Sequence, residues 1–374
     1  MSERHISDSV LTEARLLVCV GTGGVGKTTT SAALALRAAA LGRRTLVLTI
    51  DPAKRLANAM GLESLGNEAK PVELGPLSAR GGSLAAMMLD AQRTFDELIM
   101  RTAGVHAERI LKNRIYRIMV DQFAGTQEYM SLERLYDLYE RGGYDLIVLD
   151  TPPSKNTLDF FDAPRKTAGL FDEQVMRWFV PNSGGDSGFF QKLFNPGAAV
   201  LKLLSTIGGD KFVAELGEFF EALRVVRAEF KVRGDRVHDI LRDARTHYVV
   251  VASPDPRRVD EACYVWDRLA GTRMQIWMMV LNRSHHQFGA EGAAVLEQPA
   301  VASALGPERT THLVRAYAGL AALGLRDRAG IALLMSKAGS TPVLTVPAKG
   351  RDIHTLDELL SMTDHLFGPL SAKG

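Results

Sequence analysis

The eight residues GTGGVGKT, Gly21 to Thr28, constrain this chain more than any other stretch. They fit GxxxxGK[ST], and they stand between an apolar run, LLVCV from Leu16, and an alanine-rich segment closed by Gly42. A loop of this kind needs a buried strand before it and a helix after it. Its glycines let the backbone curl until successive N–H groups point into one concavity, and the helix N-terminus adds the positive end of its dipole. Such a concavity holds phosphate. The backbone of Gly23, Gly24, Val25 and Gly26 forms the cradle, and Lys27 reaches the β- and γ-phosphates as a catalytic contact. The Thr28 hydroxyl is placed to coordinate Mg2+, with Thr29 on phosphate beside it. A glycine-rich turn without a ligand is the competing reading, and the flanking strand and helix weigh against it.

Further apolar, β-branched runs follow: RTLVLTI, SLAAMML, YDLIVLD, THYVVVA, MQIWMMVLN and TPVLTV. Their hydrophobicity is continuous rather than alternating, which marks strands covered on both faces, and most are separated by helical patterns. The expected fold is α/β, a doubly wound and mostly parallel sheet between helices. Two intervals, about 90–143 and 154–245, read as helical and contain no such run. They are read as insertions forming a helical subdomain on a single domain over 1–374. In the second, Phe219, Phe220, Leu223, Val226 and Phe230 follow helical spacing, and the stretch GFFQKLFNPGAAVLKLLSTIGG is the candidate for a mobile piece. Packing within the subdomain is the plainer explanation of these apolar stripes; a groove for a client is the other. The RGD at Arg233 lies in a charged helical stretch and is read as chance.

With 374 residues, 46% of them hydrophobic, the chain can bury a sizeable core. Its 45 basic and 43 acidic residues balance, which argues against nucleic acid or an anionic membrane as an electrostatic partner. Cys19 and Cys263 are its only cysteines, too few for a disulfide framework or a CxxC zinc site. No apolar run is long enough to insert stably in a membrane, and the start does not resemble a signal peptide, so the expected compartment is the cytoplasm.

Three more places carry chemistry. Asp51 ends the second run in TIDPAKRLANAMG; it is both a good helix cap before Pro52 and, at the strand end beside a phosphate loop, a carboxylate able to orient an attacking water. Asp150 ends YDLIVLD, where a carboxylate binds Mg2+ and the next loop senses the γ-phosphate. Asn282 ends a later run and can pair with a base edge; the Lys and Asp of a guanine-reading Asn-Lys-x-Asp are missing around it, which favours ATP over GTP. Pro347, in TVPAKGRD, is a weaker candidate for a second wall against the base.

In this order the motifs resemble the ArsA-type anion-transporting ATPases, which include the arsenite-pump ATPase and the ATPase that delivers tail-anchored membrane proteins. DPAKRLANAMG matches switch I, DTPPSKNTLDFF switch II, and ASPDPRRVDEA, LNRS and VPAKGRD the softer stations. The resemblance implies a SIMIBI-class P-loop fold and ATP at the interface of a nucleotide-dependent dimer. It also implies Asp51 as the water-positioning residue, Lys27 and Thr28 on phosphate and Mg2+, Asp150 as the switch II carboxylate, and Asn282 on adenine.

Three departures stand out. The family's loop begins with a lysine that reaches the partner's phosphates, and here that position is Thr22. Lys54 and Lys155 add cations near the phosphates, either as substitutes for that lysine or as solvated surface residues. Two isolated cysteines suit neither an arsenite site nor a zinc-bridged dimer. The leading expectation is a Mg2+-dependent ATPase whose dimer, a homodimer or a heterodimer with a paralogue, opens and closes. Its helical subdomain would act on a hydrophobic client, a small anion or a regulatory partner. A weakly catalytic subunit paired with a lysine-containing paralogue is the alternative. A ParA/MinD-like partitioning ATPase ranks last, because the C-terminal HTLDELLSMTDHLF has an acidic polar face.

Overall fold

The computed structural model describes residues 5–51, 55–122, 126–152, 209, 211–212, 215–216, 218–219, 227–272, 274–288, 291–350, 353 and 355–370. Lys54, switch II from 153 onward with its Lys155, and most of the second helical interval lie outside them. Eight strands form one sheet: β1 (Leu16–Gly21), β2 (Arg44–Thr49), β3 (Lys70–Val72), β4 (Ser83–Met88), β5 (Leu146–Asp150), β6 (Thr246–Ala252), β7 (Gln275–Ser284) and β8 (Val343–Pro347), in the order β3-β4-β2-β5-β1-β6-β7-β8. Every neighbouring pair is parallel except β3 with β4. The doubly wound, mostly parallel α/β sheet read from the continuous apolar runs is therefore present. Short, antiparallel β3 is an addition: three residues with Pro71 in the middle suit an edge and leave no apolar signature.

The order fixes where chemistry can collect. Both neighbours of β1 come from later in the chain, so β1 connects outwards to β2 on one side and β6 lies on the other, which makes its carboxyl end a topological switch point. The helix Lys27–Ala40 leaves the loop there and is almost entirely buried. Its alanines let it lie close to the sheet and to the C-terminal helix Leu356–Phe367: a Cβ on Gly82 would come within 1.9 Å of the Ala39 carbonyl. Helix starts follow the local sequence. Asp90 and Asp255 accept from Arg93 N and Arg257 N, and Thr355 with Glu358 forms the Thr-x-x-Glu start of the last helix.

The described residues divide into two compact units. One draws on Met1–Met88, Tyr144–Thr157 and Arg242–Gly374 and holds the sheet; the other draws on Leu89–Gly143 and Leu158–Leu241. In the second unit the described elements are helical, among them Ala91–Thr102, Thr126–Arg141 and Arg227–Ile240. Arg233 of the RGD is buried there on Glu133 and Asp137, with its guanidinium over the Tyr136 ring, so it is a structural residue. No described helix is long and apolar enough to cross a membrane.

Candidate functional site

Strand register brings the first three motifs together. Thr49 of β2 and Cys19 of β1 are both in register with Asp150 at the end of central β5. The Asp150 carboxylate is 1% exposed, and one oxygen, Oδ2, accepts from Thr28 Oγ1 at 2.7 Å and from Thr49 Oγ1 at 2.8 Å. The other oxygen, Oδ1, is buried with no hydrogen-bond partner among the described residues. Burial pushes the carboxyl up to about 6, against the two hydroxyl bonds and the Lys27 charge that favour its ionised form. An unsatisfied carboxylate oxygen beside a threonine hydroxyl is a donor set for a small hard cation, so these residues fit Mg2+.

The loop has the expected curl. Gly24 and Gly26 have φ of 73° and 94°, which only glycine adopts without strain. Lys27 is buried, its ammonium held below the ordinary range mainly by desolvation, and its Nζ donates to the Thr22 carbonyl at 2.8 Å. Side chains from β7 and from the helix Pro256–Ala270 brace the loop's carbonyls. Asn282 Nδ2 donates to Val25 O at 2.9 Å, and the Arg258 guanidinium donates to Gly23 O. The bracing is close: a Cβ on Gly26 would sit 2.1 Å from Asn282 Nδ2. Thr22 itself is 6% exposed.

A cavity of about 410 Å3 opens in front of the loop, lined by Gly24, Gly26, Lys27, Thr28 and Thr29. Asp51, Arg55, Asn58, Ala59 and Thr151 form the wall continuing from β2 and β5, and Arg283 and Ile353 close it from the far side of the sheet. The loop residues and Asp51 are thus brought together around one space, with Asp150 directly behind Thr28. Asn282 and Pro347 are not on its lining. Asn282 stands behind the loop, where its Oδ1 accepts from Arg283 N, and Pro347 pairs with Ser284 at the end of β8.

Sequence reasoning did not single out Thr49, Arg55, Arg258, Arg283 or Ile353. Thr49 had a usable signal, a hydroxyl at a strand end two residues before a candidate carboxylate. Arg258 reaches the loop from a helix more than two hundred residues later, and no local pattern marks such a contact. Cys19 is buried in β1, its thiol pushed up to about 12 by desolvation, and Cys263 lies on the helix Pro256–Ala270.

The sequence model of the anion-transporting ATPases matches residues 14–291, which contain the loop and the strands that carry Asp51, Asp150 and Asn282. The chain belongs to this family. As an anion-transporting ATPase family member it is 30% identical over 186 residues to a putative arsenical pump-driving ATPase of Halobacterium salinarum, which is 46% of this chain and 27% of that protein. It is 26% identical over 237 residues to putative arsenical pump-driving ATPase 1 of Aquifex aeolicus, 57% of this chain and 51% of that protein. It is also 31% identical over 220 residues to the ATPase GET3 of Paracoccidioides lutzii, 56% of this chain and 58% of that protein. The family member therefore spans between 27% and 58% of the length of these curated relatives.

Proposed function

We propose that this family member is a Mg2+-dependent ATPase that converts ATP and water to ADP and phosphate. The observation that carries the reading is the paired arrangement of the curled loop with its buried Lys27 and of Asp150, one oxygen held by Thr28 and Thr49 and the other unsatisfied. The loop's backbone N–H groups bind the phosphates, and the Lys27 ammonium exchanges the Thr22 carbonyl for phosphate oxygens. Thr28 and Asp150 hold Mg2+, which when bound neutralises charge on the phosphate oxygens. Asp51 at the cavity wall orients a water. The water oxygen bonds to the γ-phosphorus and the bond to the β–γ bridging oxygen breaks. That electron pair stays on ADP, and the water proton ends on the released phosphate. Asn282 uses one amide N–H on Val25 O; an amide has two, and the second faces adenine in this reading, with Pro347 as the outer wall.

The reading extends to a cytoplasmic, nucleotide-dependent dimer in which the helical residues of about 90–143 and 154–245 form a subdomain acting on a client, a hydrophobic protein or an anion. The names of the relatives, arsenical pump-driving ATPases and GET3, support that class of work. Neither cysteine lies at the cavity, which speaks against arsenite as the ligand and against a zinc bridge. A second reading is favoured by Thr22, neutral and nearly buried where the resemblance implies a lysine: a weakly catalytic subunit that pairs with a lysine-bearing paralogue.

The test is Mg2+-dependent ATP turnover by the purified chain beside Asp51→Asn, with molecular mass by light scattering with and without ATP. A self-sufficient ATPase forms an ATP-dependent dimer and loses at least ~10²-fold in turnover in the variant. ATP binding with neither dimer nor turnover would move the assignment to the paired subunit.

A further inference from the structure

Among the described residues, three cations line the cavity in front of the loop: Lys27, Arg55 and Arg283. Lys27 comes from the loop itself and is buried. Arg283 comes from β7, beside Asn282, on the side this reading gives to the base. Arg55 lines the remaining wall together with Asp51 and Asn58, the side to which the ATPase reading gives the γ-phosphate. Its backbone is fixed, because Leu56, Ala57 and Ala59 of the same short helix are buried. Its side chain is not: it is 66% exposed and meets Asp51 Oδ2 at 3.4 Å, one turn away, while the Asp51 side chain is 17% exposed. An ion pair of that length with so exposed a donor holds the guanidinium only weakly.

Resting on the ATPase reading, we propose that Arg55 is an arginine finger supplied in cis: it leaves Asp51 for the γ-phosphoryl oxygens of bound ATP. A guanidinium fork matches two phosphoryl oxygens at once, and the transferring group gathers charge on three. One long contact to a carboxylate is a poor competitor. The bond changes are those of the hydrolysis itself: the water oxygen bonds to the γ-phosphorus and the β–γ bridging oxygen departs with its electron pair. Arg55 transfers no proton and holds the developing charge. Thr22 contributes no cation, and among the described residues lining the cavity Arg55 is the largely exposed cation beside Asp51. The competing account, a solvated pair of residues four apart, expects no loss of turnover when Arg55 is removed.

Steady-state turnover and ATP dissociation constants of the full chain separate the two for the unaltered protein, Arg55→Ala, Arg55→Lys and Asp51→Asn. The finger predicts that Arg55→Ala loses about 10³-fold in kcat. ATP affinity changes less than about fivefold, since the interaction is made in the transition state. It further predicts that Arg55→Lys recovers part of the loss, and that Arg55→Ala no longer retains ADP with aluminium fluoride. Unchanged or faster turnover in Arg55→Ala overturns the finger and leaves the ATPase reading standing. An unaltered chain that binds Mg2+–ATP without turnover overturns both, because a finger in cis makes the chain self-sufficient. Mixing Arg55→Ala with Lys27→Ala decides the geometry: activity that returns on mixing would put the arginine in a second copy's site and overturn the assignment in cis.

Discussion

Asp150 is a carboxylate that water does not reach, and its buried oxygen has no donor among the described residues. Its folded value, about 6, lies above its ordinary 3.8, so between those values the folded state binds more protons than the unfolded one. In EDTA, its contribution to stability should therefore rise as pH falls through 6 towards 3.8, and stay at its lowest above 6. At about 1.4 kcal/mol per pH unit, moving from pH 7.5 to pH 5 should favour the native protein by a little over about 1 kcal/mol relative to Asp150→Asn. Urea unfolding of both proteins at the two pH values measures it, and parallel pH responses would show that Asp150 is satisfied in some other way. Added Mg2+ should reverse the order: if Asp150 and Thr28 hold the cation, it stabilises the unaltered protein at pH 7.5 more than at pH 5, where protons compete, and does neither in Asp150→Asn.

At the scale of elements, the loop works because two distant parts of the chain hold its carbonyls. Asn282 on β7 binds Val25 O, and removing it leaves a buried carbonyl without its donor, at a cost of about 1–3 kcal/mol. Asn282→Ala should lower the thermal midpoint of the nucleotide-free protein and weaken ATP as well. Weaker ATP with an unchanged midpoint would make Asn282 a base contact alone. This contact was invisible in the sequence, where LNRS pointed outward to a base and nothing pointed inward to the loop. The parallel strands were legible because burial on both faces forces continuous apolar runs, and the loop because its glycines are required by backbone geometry. The helix Pro307–Ala338 was not. Its buried positions include Gly324, Asp327 and Gly330, so no apolar stripe marks it, and Asp327 is spent on His285, next to the end of β7. The loop and the strand-end carboxylates were legible because their motifs are local; Arg258 reaches the loop by the length of its side chain from a helix far along the chain, which spacing does not encode.

Over the whole molecule, each compact unit has its own buried arginine. In the unit that holds the sheet, Arg37 on the helix after the loop binds Asp8, Thr363 Oγ1 and the Gly368 carbonyl, so it ties both ends of the chain to the element that begins at the phosphate cradle. In the helical unit, Arg233 serves Glu133 and Asp137, two carboxylates with little access to water. Burial already pushes Glu133 up against the pull of its arginine. Removing Arg233 leaves both acids with Arg101, which meets Asp137 at 2.6 Å and Glu133 at 3.7 Å from a more exposed position, and should destabilise that unit by up to about 3 kcal/mol. Nucleotide acts on the other unit, since every residue around the cavity belongs to it, and ligand at a hundred times its dissociation constant adds about 2.7 kcal/mol. Calorimetry of the unaltered chain and of Arg233→Ala, each with and without Mg2+–ADP, should accordingly show two transitions. Nucleotide would raise one and the substitution would lower the other. A single transition that responds to both would mean that the units unfold together, so that nucleotide at the loop is coupled energetically to the helical unit. Two independent transitions would show no such coupling with Mg2+–ADP, and the same experiment with Mg2+–ATP and Asp51→Asn, which is expected to bind without turnover, would have to reveal it.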